Sequence, residues 1–110
     1  MRKKPDALQG ALDLLILKTL AARGPLHGYG IALHVESTSD DVLRMEEGSL
    51  YPALHRMEGA GWLRSGWRTS DNNRRAKFYA ITPVGLKQLA EEERNWRQVV
   101  SAIQRVLQVA

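Results

Sequence analysis

The segment from residue 47 to residue 62 constrains the fold of this 110-residue chain most strongly, because it combines a helical pattern with a defined end. At about 3.6 residues per turn, the segment has one apolar face, formed by Leu50, Ala53, Leu54 and Met57. We expect Ser49 to be the N-cap and Pro52 to lie in the first turn. Gly59 and Gly61 then end the helix. The sequence therefore predicts a short amphipathic helix with one exposed face.

The exposed face of this helix carries side chains that can meet base edges in a DNA groove. They are Ser49, Tyr51, Pro52, His55 and Arg56. Gly48, just before them, would allow the start of the helix to approach a phosphate closely. Taken alone, the pattern also fits an ordinary surface helix with an arginine on it, so the interpretation depends on the neighbouring segments of the chain.

Two strand-like segments come after the helix, residues 62–69 and 76–81. Between them, residues 70–73 read Ser-Asp-Asn-Asn, which are turn residues that tolerate left-handed conformations. The predicted hairpin carries Arg64, Arg68, Arg74, Arg75 and Lys77 against a single acid, Asp71. Such a charge run is often only a solvated face, but beside a recognition helix it forms a wing that can hold phosphates or enter a minor groove.

Helical patterns also cover residues 7–22 and 27–38, before the candidate recognition helix. The first has two apolar stripes and therefore needs two partners, one of which is the domain core and the other a candidate second subunit. In the second helix, Tyr29 is either a core ring or a phosphate contact through its hydroxyl. We also expect a brief third strand at residues 42–45. Together these elements predict a mainly α fold with a small β-hairpin, the winged helix-turn-helix, over residues 1–81.

Residues 82–110 predict one long terminal helix, with Thr82 as N-cap and Pro83 as the first helical residue. Its apolar residues recur by sevens over roughly 40 Å, which is longer than a domain this small can cover. We therefore expect a homodimer with antiparallel or splayed helix pairing. The predicted interface comprises Leu14, Leu17, Leu89, Trp96, Val100, Ile103 and Leu107. The alternative is a terminal helix that lies on its own domain.

Composition narrows the class of function. The net charge of +4 favours a polyanionic partner, and eight of the sixteen Lys and Arg residues lie in the hairpin or at residues 2–4. Lys3 and Lys4 are therefore candidate phosphate contacts. The three histidines are dispersed and cysteine is absent, so we expect no metal site, no cofactor and no enzymatic activity. The longest aliphatic run, residues 14–17, is far too short for a membrane span, so we expect a soluble, cytoplasmic protein.

In this order, the motifs resemble the PadR family of bacterial winged-helix transcriptional regulators. The specific matches are His27-Gly28-Tyr29 and Gly48-Ser49-Leu50-Tyr51-Pro52. Gly61-Trp62, Arg74-Arg75-Ala76-Lys77-Phe78-Tyr79 and Thr82 followed by Gly85 fit as well, whereas Ile81 replaces the Leu of many members. The terminal helix ending at Ala110 is similar to that of compact members with one dimerising helix.

The resemblance implies that a homodimer binds a palindromic operator on double-stranded DNA, usually represses transcription, and is released by a small molecule. The recognition helix would face the major groove, and Arg74, Arg75 and Lys77 would hold the flanking backbone or minor groove. Trp96 with the Leu14 and Leu17 stripe is a candidate site for a flat hydrophobic effector in the dimer seam, and the other interpretation is simple packing of paired tryptophans. The alternative is a winged-helix module for non-specific DNA binding or protein–protein interaction.

Overall fold

The computed structural model describes residues 6–109, with side chains from residue 11 onward, and this part contains four α-helices and a three-stranded antiparallel sheet. In chain order the elements are α1 (Asp6–Arg23), β1 (Leu26–His27), α2 (Gly28–Thr38), α3 (Glu47–Gly59), β2 (Leu63–Thr69), β3 (Arg75–Ile81) and α4 (Pro83–Gln108). The mainly α fold with a hairpin and a long last helix is therefore confirmed.

The sheet has the strand order β1-β3-β2. β2 and β3 form the predicted hairpin, with Leu63 opposite Ile81 at the base and Thr69 opposite Arg75 near the tip. In the turn, Asn73 adopts a φ of 61°, the left-handed conformation that its residue type tolerates. The third strand is β1, which pairs with β3 through Leu26 opposite Tyr79.

The prediction of a third strand at residues 42–45 is wrong. These residues form bends and irregular chain after α2. Two of their backbone N–H groups are engaged locally, because Val42 donates to the Ser39 carbonyl at 3.0 Å and Leu43 donates to the Ser39 hydroxyl at 3.0 Å. They are therefore not available for a sheet ladder, and β1 occupies the free edge of β3 instead.

The core lies between α1, α2, α3, the sheet and the first half of α4. The predicted apolar face of α3 is confirmed, since its four residues are all buried. They pack with Ile16, Leu17, Leu20, Ile31, Leu63, Tyr79 and Leu89. Because the exposed side of α3 is opposite this cluster, the core fixes which side chains α3 presents to solvent.

The start of α3 differs from the prediction. The helix begins at Glu47 with Glu46 as N-cap, so Ser49 is not the cap and Pro52 lies inside the helix. The reason is that the N–H groups of Ser49 and Leu50 both donate to the Glu46 carbonyl, at 3.0 and 2.9 Å, which closes the first turn earlier. With that start, Pro52 removes one internal backbone hydrogen bond.

The start of α4 is confirmed. The Thr82 hydroxyl accepts a hydrogen bond from the Gly85 N–H at 3.0 Å, as expected of an N-cap. A Cβ at Gly85 would lie 2.2 Å from the Trp62 carbonyl oxygen, so only glycine allows α4 to begin against the turn before β2. From there α4 packs along α1, where Lys18 and Glu93 form an ion pair at 3.3 Å.

Candidate nucleic-acid interface

The exposed face of α3 presents most of the predicted recognition residues. Gly48, Ser49, Tyr51, Pro52 and His55 are all exposed, while the opposite face is buried in the core. Apart from its chain neighbours and the backbone of its own helix, no heavy atom would lie within 4 Å of a Cβ at Gly48, so this end of the helix is open to an approaching group. A helix with a packed face and an open polar face has the form needed to enter a major groove.

The two sequence motifs that carry the family resemblance meet at this surface. A Cβ at Gly28 would lie 2.6 Å from the Tyr51 hydroxyl oxygen, so the missing side chain makes room for the Tyr51 ring against the start of α2. Tyr51 still exposes 44% of its surface. α2 therefore holds the ring in place and leaves part of it accessible.

Tyr29 is the next residue of α2, and the interpretation as a core ring is wrong. Its side chain is 69% exposed, and its ring lies beside the His27 imidazole with centroids 6.3 Å apart. His27 itself caps α2 by accepting a hydrogen bond from the Gly30 N–H at 3.0 Å. The phosphate contact through the Tyr29 hydroxyl stays a prediction.

Arg56 does not point toward a groove as the sequence analysis expected. Its two terminal nitrogens donate to both carboxylate oxygens of Asp13 in α1, at 3.1 and 2.7 Å. The hydrogen bond to Asp13 raises the pKa of Arg56, and the negative charges of Asp13 and Glu92 add to this against the effect of burial. Asp13 is only 4% exposed. A buried carboxylate needs such a partner, so Arg56 is committed to α1.

The wing has two faces, which are set by the strand register. Directly opposite residues share a face, so Trp67 and Lys77 lie on the same side as the buried Tyr79, which is the side of α3. Arg68 belongs to the other face, where its guanidinium lies 4.1 Å from the centre of the Phe78 ring. The cations of the hairpin are thus divided between two surfaces.

The three predicted wing contacts differ in how free they are. Lys77 lies 3.7 Å from Glu58 of α3, which also accepts a 2.6 Å hydrogen bond from the Ser65 hydroxyl. Lys77 therefore helps to fix the wing to the recognition helix. Arg74 and Arg75 are exposed near the tip, and Arg75 lies over the Trp67 ring at 5.8 Å. These two arginines are the better placed for phosphates.

Trp67 was not among the predicted site residues, although it is 60% exposed beside Arg75 on the α3 side of the wing. In the sequence Trp67 is typical of a strand residue, and it lies four residues after Leu63, on the same side of the strand. The hairpin extends beyond the core, so the same face is buried at its base and exposed near its tip. The available signal was an aromatic residue in a hairpin that carries five cations.

The predicted dimer and effector residues also fall into two groups. Leu17 and Leu89 are buried in the core of a single protomer, at 0% and 7% exposure, so neither is available to a second subunit or a ligand. Leu14 and Val100 are half-buried. Trp96, Ile103 and Leu107 are exposed. Lys3 and Lys4 lie outside the described residues.

Two further observations concern residues 6–109 alone. Within that range, no three His, Cys, Asp or Glu side chains come together as metal ligands would. The same range has no helix whose length and apolar character would let it cross a membrane.

Comparison with known proteins gives one consistent result. Residues 16–91 match the profile of the family described as Transcriptional regulator PadR-like family. A transcriptional regulator of Mycobacterium tuberculosis is 38% identical over 83 residues, which are 76% of this chain and 74% of that protein. A transcriptional regulator from Clostridium thermocellum has a TM-score of 0.80 at 27% identity, covering 94% of this chain and 97% of that one. A PadR-like transcriptional regulator from Bacillus cereus has a TM-score of 0.76 at 27% identity, covering 96% and 100%.

Proposed function

This chain belongs to the PadR-like family and is a transcriptional regulator, not an enzyme, and from that premise we propose that it is a homodimeric repressor of one palindromic operator. The observation that carries the proposal is the open polar face of α3 beside the exposed arginines of the wing. Such a pair of surfaces can read bases in one groove and hold the backbone next to it.

The contacts divide by position. Ser49, Tyr51, Pro52 and His55 meet base edges in the major groove, and the open helix start at Gly48 allows a phosphate to approach. Arg74 and Arg75 hold the flanking backbone or the minor groove. Lys77 contributes less, because its ion pair with Glu58 partly neutralises its charge. Lys3, Lys4 and the exposed Tyr29 hydroxyl add phosphate contacts. Arg56 is left out because Asp13 binds it.

The dimer forms through the second half of α4. Ile103 is 51% exposed and Leu107 is 77% exposed, and with Trp96 and Val100 they lie on one face of the helix. A second copy covers this face and places two recognition helices on one side of the dimer. For a palindromic operator, those helices must match half-sites about 34 to 36 Å apart.

A flat hydrophobic effector binds in the same seam. Trp96 exposes 37% of its surface, enough for an indole to stack on a ligand, and the half-buried Leu14 provides an apolar edge on α1. Leu17 has no part in this site because it is fully buried. A ligand that separates the two α4 helices would change the distance between the two recognition helices and release the operator. The regulator would act in the cytoplasm, on the cell's own DNA.

The test is a quantitative footprint of the purified protein on the DNA upstream of its own gene, with random duplex as competitor. We expect one protected palindrome bound at least about 10³-fold more tightly than random duplex. His55→Ala should cost about 1 to 3 kcal/mol on the operator and reduce that ratio. Arg75→Ala should weaken both duplexes and flatten the salt dependence by roughly one unit.

Arg97→Ala is the matched control, since it removes one exposed cation from α4 and leaves the wing intact. Protection that ignores sequence and disappears steeply with salt would favour the alternative, a module for non-specific DNA binding. Base preference that changes with Arg75→Ala but not with His55→Ala would reverse the proposed roles.

A further inference from the structure

Asp13 is an ionisable side chain placed in the core, which is unusual enough to need a reason. It lies on the buried face of α1 with Ile16, Leu17 and Leu20, at spacings of three, four and seven residues. An ionised carboxylate in such surroundings is costly unless it is paired and hydrogen-bonded. Both of its oxygens are occupied by the Arg56 guanidinium, in the two-point geometry that arginine also uses on phosphates and guanine.

Arg56 lies at the border between the two faces of α3. It follows the exposed His55 and precedes the buried Met57, and its own side chain is 41% exposed. A long flexible side chain at such a border can reach either α1 or an approaching DNA backbone. In the folded chain Arg56 reaches α1, so Asp13 neutralises a positive charge that lies next to the exposed face of α3.

The first half of α4 adds a negative charge that acts on Arg56. Glu92 contributes a favourable charge to Arg56, and Glu92 is itself held by a 2.8 Å hydrogen bond from the Gln88 amide. Across α3, Glu58 binds Ser65 and Lys77 of the wing. The recognition helix is thus fixed by one ionic contact to α1, in which α3 supplies the cation, and by a second to the hairpin, in which α3 supplies the anion.

We propose that Asp13 is a positioning residue for DNA reading, which withholds the Arg56 cation from the DNA backbone and fixes α3 to α1. The inference rests on the proposed function, because it concerns how α3 discriminates between sequences. An unrestrained arginine beside the reading face would bind any phosphate and would strengthen every complex equally. Because Asp13 holds Arg56, the affinity of the protein for DNA continues to depend on contacts with the bases.

Asp13→Asn is the central variant, since it removes the charge but keeps the shape of the side chain. Released Arg56 should tighten binding to random duplex roughly fivefold at moderate salt and steepen the salt dependence by about one unit. The ratio of operator to random affinity should fall by roughly tenfold or more, because α3 is also less firmly held. Adding Arg56→Gln should return the salt dependence to the wild-type value without restoring the ratio.

Glu91→Gln is the matched control. It also removes one negative charge and frees one arginine, Arg94, but that pair is exposed and lies within α4. We expect it to leave the ratio of affinities unchanged. Arg56→Lys is a second variant that keeps the charge and loses the two-point contact, so the proposal can still be tested if Asp13→Asn does not fold. It should steepen the salt dependence in the same direction.

A readout without DNA separates this proposal from the proposed function. In a ¹⁵N NMR spectrum, the Arg56 guanidinium should give a slowly exchanging signal in wild type, assigned by its absence from Arg56→Lys, and this signal should be lost in Asp13→Asn. If wild type binds all duplexes alike, the proposed function fails, while the NMR signal still reports on the contact. If a folded Asp13→Asn or Arg56→Lys protein keeps the wild-type ratio and salt dependence, or wild type lacks the protected signal, the positioning role is overturned.

Discussion

The two halves of α4 share one heptad pattern but have opposite surroundings. In the first half, Leu89 is 7% exposed and packs into the core, and Gly85 is buried with no room for a Cβ beside the Trp62 carbonyl. In the second half, beginning at Arg94, Ile103 and Leu107 are more than half exposed on the same face. A repeat of apolar residues therefore indicates that a helix face must be covered, but it does not indicate whether the same chain or a second molecule covers it.

The largest expected effect compares one residue type in the two halves. Leu89→Ala should lower the free energy of unfolding by about 2 to 5 kcal/mol, because it opens a cavity in the core. Leu107→Ala, at 77% exposure, should change it by no more than about 0.5 kcal/mol in dilute, monomeric protein. Urea unfolding followed by circular dichroism measures both. Equal losses would mean that the second half of α4 has a partner within its own protomer.

The second prediction concerns what covers the exposed half. Ile103→Glu together with Leu107→Glu should raise the dissociation constant of the proposed dimer at least about a hundredfold, or about 3 kcal/mol, because carboxylates would have to be buried in the seam. Sedimentation velocity at several concentrations should then show a monomer. Arg105→Glu is the control, since it places the same charge on the opposite side of the helix. A dimer that survives the double substitution would move the interface elsewhere.

The same contrast explains which features could be predicted from sequence. Features set by neighbours in the chain were correct, including the Thr82 cap, the left-handed turn residue Asn73 and the buried face of α3. Features set by distant partners were not. Arg56 reads as a groove contact because Asp13 is 43 residues away in the chain. Leu17 was predicted to lie in the dimer interface because an apolar stripe on α1 does not indicate whether the core or a second subunit covers it.

The start of α3 shows a different limit. Ser49 is a good capping residue and lies close to the true start, but the Glu46 carbonyl accepts two N–H groups and begins the helix earlier. Helix ends depend on which of several neighbouring caps forms, and small energies decide between them. In the site, the exposed face of α3 could be predicted from periodicity, whereas the exposure of Trp67 depends on how far the hairpin extends beyond the core.

A third prediction uses Trp96 to test whether the exposed seam accepts a ligand. Titration with a hydrophobic cationic dye should quench tryptophan fluorescence, and Trp96→Phe should remove most of the quenching and weaken binding roughly tenfold, or about 1.4 kcal/mol. Trp67→Phe is the matched control, because Trp67 is also exposed but lies on the wing. Quenching that persists in Trp96→Phe, or dye binding that leaves operator affinity unchanged, would argue against an effector site in the seam.

The smallest expected effect concerns the pH dependence of stability and comes from the buried core, where Tyr79 lies in β3. Burial raises the pKa of Tyr79 above its ordinary value, and the nearby Glu58 and Tyr51 raise it further. Above about pH 10, the folded protein therefore keeps this proton while the unfolded chain loses it. The stability that this provides is fully present below about pH 10 and is lost as pH rises through the raised pKa.

Tyr79→Phe removes this titration, so it should flatten the alkaline decline in the free energy of unfolding by less than about 1 kcal/mol. Urea unfolding at pH 8 and at two values above pH 10 measures the difference, with pH 8 as the reference for any change in packing. The difference between wild type and Tyr79→Phe should be constant up to about pH 10 and should shift only above it. A constant difference at every pH would mean that the pKa of Tyr79 is the same in the folded and the unfolded chain.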